Sequence, residues 1–407
     1  MLARAQAGCE QEHQGSETTG KSLFRIPASM IATNCVFLLF LFILMMHPLS
    51  AQTPANGPSV AFARARYLAH GINASNWYAQ TGDYSTQRLT TYITPQDFAL
   101  IHRMGFDNVR LTIDAAQLVR NPDASGLNAD FLAHLDATIH DILSHDLAVI
   151  VDIHPEDSYK HALRTDESAV TSFLALWHAL AAHYAATGPE RVFFEIMAEP
   201  EIVDPGRWSD IERRAIATIR SAAPRHTIIA TGANYSGIED LLLLEPFADS
   251  NIVYTFHYYQ PYPFTHQGAN WGMDQWKTLR DIPYPSTPEA VAPKLVEEPN
   301  APYRYYLNEY GLDRWDGVRV ASEIRFAAEW GAEHDVPVWC GEFGAYRLYS
   351  NPAMRAQWIR DVRNALQRNN IGWAMWDYCG GFGVVIKSGN TATPDLKILD
   401  ALGLHAP

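Results

Sequence analysis

The chain has 407 residues, of which 47% are hydrophobic and 19% charged, and carries a formal net charge of -14. That length suits one large α/β barrel or two ordinary domains, and the apolar share can bury a sizeable core. So acidic a chain argues against nucleic acid or an acidic polymer as partner and suits a neutral substrate.

Lys21 and Arg25 precede an apolar run from Val36 to Met46, which ends in His47-Pro48-Leu49-Ser50-Ala51. A basic flank, a short apolar run and small residues at its exit read as a secretory signal over residues 1–51, cut after Ala51, with Met30 an alternative start. The run is shorter than the roughly 20 residues a spanning helix needs, so no stable membrane association is expected after signal removal. The expected location is secreted or periplasmic; an uncleaved anchor is the competing reading. Residues 52–66 read as a linker and lead-in, and 67–407 as one catalytic domain.

In that domain strands and helices alternate. Strands are expected at 68–73, 108–112, 148–154, 192–199, 227–231, 252–259, 336–342 and 372–377. Several are nearly continuous in Val, Ile, Phe and Trp, as parallel strands covered on both faces are. Thr94-Pro95 opens a helix with a cap and a proline at its first position, and helical periodicity follows in 131–144, 169–186, 208–222, 319–334 and 354–369. Eight such repeats predict a (β/α)8 barrel. An open doubly wound sheet would normally carry a glycine-rich phosphate turn, and none is present.

One connection, 260–317, is far longer than ordinary loops and rich in Tyr and Trp. Most of those rings are expected to pack a small core of their own, with two or three lining a cleft. Cys340 and Cys379 read as buried thiols, with a disulfide as the alternative, and no zinc-type ligand spacing occurs. No cofactor and no metal are expected.

Barrel chemistry sits at the C-terminal ends of strands, where this chain places Arg110, His154, Glu199, His257, Tyr259, Glu342 and Trp376. Glu199 and Glu342 each follow an apolar, aromatic-rich run. Two carboxylates there are costly to desolvate, and such a pair facing across a cleft is the equipment for breaking glycosidic bonds.

The segments Gly71-Ile72-Asn73, Val109-Arg110-Leu111, Asp152-Ile153-His154, Glu199-Pro200, His257-Tyr258-Tyr259, Gly341-Glu342-Phe343-Gly344 and Trp376, in that order, resemble glycoside hydrolase family 5, the cellulase family of retaining (β/α)8 glycosidases. The resemblance runs from Gly71 to the end. It implies Glu199 as acid/base and Glu342 as nucleophile, Arg110 holding Glu342 ionised, Tyr259 orienting it, and His257 bonding near Glu199. It also implies His154 on sugar hydroxyls, Trp376 as a sugar platform, and a β-glycan as substrate.

One position departs from the pattern. The family reads Asn-Glu-Pro where this chain reads Ala198-Glu199-Pro200, and that asparagine normally bonds the sugar 2-hydroxyl. The expected activity is an endo-β-1,4-glucanase. A related β-glycanase acting on mannan, xyloglucan or another β-glucan is the first alternative, a carbohydrate-binding pseudoenzyme the second. A metal-dependent hydrolase built on His70, His154 and His257 is the third.

Overall fold

Eight strands pair in parallel and in chain order until the last returns to the first, which closes a barrel. They are β1 (His70–Tyr78), β2 (Asn108–Ile113), β3 (Ala148–Ile153), β4 (Val192–Glu195), β5 (Thr227–Thr231), β6 (Ile252–Tyr258), β7 (Val338–Phe343) and β8 (Gly372–Met375). The structure, a computed structural model, describes residues 59–407. The expected signal, the alternative start at Met30 and residues 52–58 of the linker lie outside those residues. Among the described residues, no helix is long and apolar enough to cross a membrane.

Helices Pro95–Met104, Ala129–Ser144, Glu167–Tyr184, Pro205–Ala222, Gly317–Glu333 and Pro352–Arg368 surround the barrel. The Thr94 signal acts as expected: its N–H donates to the Asp97 carboxylate at 2.8 Å, and Pro95 occupies the first turn. Outward residues such as Val149, Val151 and Phe194 join the helix-facing core. A separate apolar layer of Ile150, Phe193, Ile229, Val253, Trp339 and Ala374 fills the barrel's lower interior. Leu68 and Ala61, the latter from helix Val60–Ala65, close that layer from below.

Because side chains alternate along a strand, the interior can be followed upward two residues at a time. Ile150 leads to Asp152 and His154, Phe193 to Glu195, Val253 to Thr255 and His257, and Ala374 to Trp376. The bottom layer is oily, the middle layer charged, and the top layer faces the mouth.

Strand β7 breaks this parity. Trp339 belongs to the lower interior, yet Glu342, three residues on, also points inward at Arg110. The register against β6 slips between Phe256 and His257, whose partners are Cys340 and Glu342, so Gly341 is the extra residue of a β-bulge. Its N–H donates to Thr255 Oγ1 at 3.1 Å and its carbonyl accepts from Asn73 Nδ2 at 3.0 Å. A Cβ there would lie 2.7 Å from Thr255 Oγ1, so the bulge requires glycine.

Two expectations are corrected. Strand β4 stops at Glu195, so Glu199 sits in the turn beyond it, with a left-handed φ of 44°. The connection 260–317 is no bare loop: it holds helices Pro288–Glu297 and Ala301–Leu312, each with proline in its first turn. Phe264, Tyr284, Tyr310 and Trp315 are buried in it, while Trp271, Tyr305 and Tyr306 are exposed. A hairpin that the sequence reading omitted, β9 (Val385–Ser388) with β10 (Thr391–Pro394), follows the barrel. Cys340 and Cys379 are both free thiols.

Candidate active site

At the centre of the barrel Arg110 is fully buried among three carboxylates. Its Nε and Nη2 form a two-pronged pair with Glu195 at 2.6 and 2.8 Å, and Nη1 donates to Glu342 Oε1 at 2.6 Å and to Asn73 Oδ1 at 2.9 Å. Asp152 Oδ2 lies 3.1 Å from Nη2. Burial alone would lower the guanidinium's pKa, but Asp152, Glu195 and Glu342 together push it well above its usual value. Arg110 therefore stays charged.

The carboxylates around it are not equivalent. Burial raises Asp152 to about 6 despite Arg110 and Lys160, and it raises Glu195 against Arg110's pull. Glu342 Oε2 accepts from Tyr259 Oη at 2.9 Å, so each of its oxygens is bonded. Burial, then the charges of Glu342 and Glu199, raise the Tyr259 hydroxyl well above its usual value, which keeps it a donor.

Glu199 faces Glu342 across the mouth. His257 Nδ1 lies 3.1 Å from Glu199 Oε1 and 3.6 Å from Glu342 Oε2, and one ligand atom from each of the three residues falls within 4.8 Å of the others. Burial drives His257 down to about 4, so the ring is neutral at ordinary pH. Glu199 keeps a quarter of its side chain exposed, at 25%, whereas Glu342 keeps 4%.

Among the described residues this trio is also the one cluster whose spacing would suit a metal ion. With the Arg110 guanidinium 2.6 Å from Glu342, a divalent cation there would meet a fixed positive charge. The alternative that used His70 fails on position: His70 opens β1 at the barrel's lower end, away from His154 and His257.

His154 and Trp376 flank the pair, their rings 5.9 Å apart. Burial, reinforced by Lys160, lowers His154 to about 3. Trp376 packs with Tyr259 and Phe382, with Tyr262 and Tyr346 at the margin. Its N–H donates to the Phe343 carbonyl at 2.9 Å, and a Cβ on Gly344 would lie 2.3 Å from the Trp376 carbonyl, so glycine permits this approach of β7 to β8. All seven sequence-derived site residues thus meet at one mouth. Ala198 has no exposed surface, and its N–H donates to the Ile153 carbonyl at 2.9 Å, so its methyl is enclosed by neighbours.

Sequence reasoning gave no role to Glu195, Asn73, Asp152 or Gln80, whose Nε2 is 3.2 Å from His154 Nε2. Glu195 carried a usable signal, a charge inside the apolar run Phe193-Phe194-Glu195-Ile196.

A parallel eight-stranded barrel with two carboxylates at its upper mouth defines a class, and the sequence comparison agrees. The family model described as Cellulase (glycosyl hydrolase family 5) matches residues 70–381, so the chain belongs to that family and is a glycoside hydrolase. Among its relatives, Endoglucanase 3 of Fibrobacter succinogenes is 29% identical over 342 residues, spanning 79% of this chain and 51% of that protein. Endoglucanase C of Acetivibrio thermocellus is 27% identical over 314 residues, spanning 76% and 90%. The crystal structure of endoglucanase Cel5A from Thermotoga maritima superposes with a TM-score of 0.68 at 29% identity, covering 84% of this chain and 99% of that one. The same enzyme solved with mannotriose gives a TM-score of 0.69 at 28% identity, with the same coverage.

Proposed function

We propose that the chain is an exported, retaining endo-β-1,4-glucanase. The observation that carries this reading is the close approach of Glu199 and Glu342, with ligand atoms inside 4.8 Å. Retaining glycosidases hold their two carboxyl groups about 5 to 5.5 Å apart, whereas inverting ones leave about 6.5 to 9.5 Å for a water.

Glu342 is the nucleophile. Arg110 Nη1 donates to its Oε1 and turns the carboxylate toward the anomeric carbon, while Tyr259 donates to its Oε2. Glu199, more open to solvent and bonded to neutral His257, is the acid/base. It gives a proton to the leaving oxygen as the glycosyl ester forms. It then removes a proton from the water that breaks that ester. Trp376 supplies an apolar platform for a sugar face and His154 a polar edge for its hydroxyls.

The glucan assignment leans on relatives named endoglucanases. A β-mannan reading is favoured by Ala198, since glucose and mannose differ at C2 and this chain lacks the amide that would contact that hydroxyl. The solved neighbour with mannotriose, at 28% identity, is in keeping with it. Turnover on carboxymethylcellulose, glucomannan, mannan and xyloglucan separates these.

For the roles, azide with an activated aryl cellobioside should yield the α-glycosyl azide from Glu342→Ala and the β-azide from Glu199→Ala. Exchanged products would overturn the assignment. Export rests on the pattern of residues 1–51 alone. N-terminal sequencing of protein recovered outside the cytoplasm should read from near Gln52, whereas full-length chain in the membrane fraction would make the segment an anchor.

A further inference from the structure

Glu199 and Glu201, on either side of Pro200, both carry left-handed backbone, with φ of 44° and 55°. Such conformations at residues other than glycine persist only where their surroundings over-determine them. Before the turn, the Ala198 N–H is tied to the Ile153 carbonyl of β3 at 2.9 Å. After it, the Glu201 N–H donates to the Asn234 carbonyl at 2.6 Å, and the Asn234 N–H returns a bond to the Ile202 carbonyl at 3.0 Å. Arg164 Nε donates to the Glu201 carbonyl at 2.8 Å.

The Glu201 side chain is gripped as well. Lys160 Nζ lies 3.1 Å from Oε1 and His161 Nε2 lies 3.1 Å from Oε2. Lys160 is 3% exposed and sits on the helix Asp157–Leu163, which follows β3 with its Asp152 and the adjoining His154. A buried ammonium is costly unless it serves a purpose, and the mechanism above leaves this one unused. Its charge is felt at the mouth: it adds to the larger effect of burial in lowering His154 and His257, and it works against the burial that raises Asp152.

We propose that Lys160 and Glu201 are positioning residues for the acid/base, an ion pair that clamps the Glu199-Pro200-Glu201 turn and aims the Glu199 carboxyl at the glycosidic oxygen. The pair joins the helix after β3 to the turn after β4, so tension in one is carried by the other. Glu199 has a single side-chain bond of its own, to His257, and too little else to fix its direction.

The inference rests on Glu199 being the acid/base, and the test separates the two. Aryl β-cellobiosides spanning good to poor leaving groups are compared by kcat/KM, which reports the step in which the leaving oxygen is protonated. Good leaving groups need no proton; poor ones do. Glu199→Ala should give a steep dependence on the leaving group. Lys160→Met/Glu201→Met, which removes both charges together, should lose on the order of tenfold to a hundredfold on poor leaving groups and almost nothing on 2,4-dinitrophenyl cellobioside. Glu201→Gln, closer in shape, gives the same comparison if the double variant does not fold, and Lys160→Arg should restore most of the loss. Equal losses across the series, or none, with Glu199→Ala still steep, would overturn the clamp alone. A flat series for Glu199→Ala would overturn the acid/base reading and the clamp with it.

Discussion

Tyr259→Phe tests the division of labour around Glu342. The substitution keeps the ring and its packing and deletes the hydroxyl that donates to Glu342 Oε2 at 2.9 Å. In the proposed reaction the charge of Glu342 disappears into the ester as it attacks, so this bond weakens along the first step and does little to speed it. When the ester breaks, the charge returns to Glu342 and the bond strengthens, so Tyr259 aids departure of the carboxylate. A buried hydrogen bond to a charged group is worth about 1.5 to 3 kcal/mol, or about tenfold to somewhat over a hundredfold in rate. With 2,4-dinitrophenyl β-cellobioside, whose turnover is limited by ester breakdown, kcat should fall by that factor. KM should fall with it, the burst of dinitrophenol should persist ahead of a slower steady state, and kcat/KM should hold within about threefold. A fall in kcat/KM as large as that in kcat, without a burst, would refute the reasoning and return Tyr259 to an orienting role in the first step.

Other expectations follow from burial and charge. Ala198→Asn inserts an amide where the methyl is already covered, so overpacking of about 1 to 3 kcal/mol should lower the melting temperature without raising kcat; a gain in kcat at unchanged melting temperature would mean the missing 2-hydroxyl bond had been limiting. Burial holds His266 down to about 4, against an ordinary value near 6.5. The unfolded chain therefore takes up that proton first, and stability present above pH 6.5 is lost as pH falls toward 4, by at most about 1.4 kcal/mol per unit. Denaturant unfolding of His266→Phe should show a shallower loss across that window than the parent protein, and parallel curves would refute it.

Much of the barrel was legible because its strands are unbroken apolar runs between well-punctuated helices. The seven candidate residues could be drawn from the sequence because polar or aromatic side chains fall along or just beyond strands β2, β3, β4, β6, β7 and β8. What stayed hidden needed closure in space. Glu195 shows in the sequence as a charge inside an apolar strand, but its partner does not until Arg110 reaches it from β2. Lys160 and Glu201 each look like surface residues, and only the fold brings the ammonium and carboxylate within 3.1 Å. Prolines in 260–317 interrupt helical periodicity, yet Pro288 and Pro302 sit in first turns, where proline is welcome. The β9–β10 hairpin did announce itself: Gly389-Asn390, with Gly389 at φ 56°, is a two-residue turn pair.

The extra residue at Gly341 makes the catalytic reading depend on a count rather than on a side chain. Deleting Gly341 would leave Glu342 two residues from Trp339 and still inward, but strict alternation over the present length would send Glu342 outward, so a side chain at 341 that flattened the bulge would turn every later side chain of β7 through half a turn. Glu342 would then lie among apolar residues, and Arg110 would be left with one buried anion fewer. Gly341→Val, whose Cβ would lie 2.7 Å from Thr255 Oγ1, should therefore be inactive at a position where no reacting atom resides.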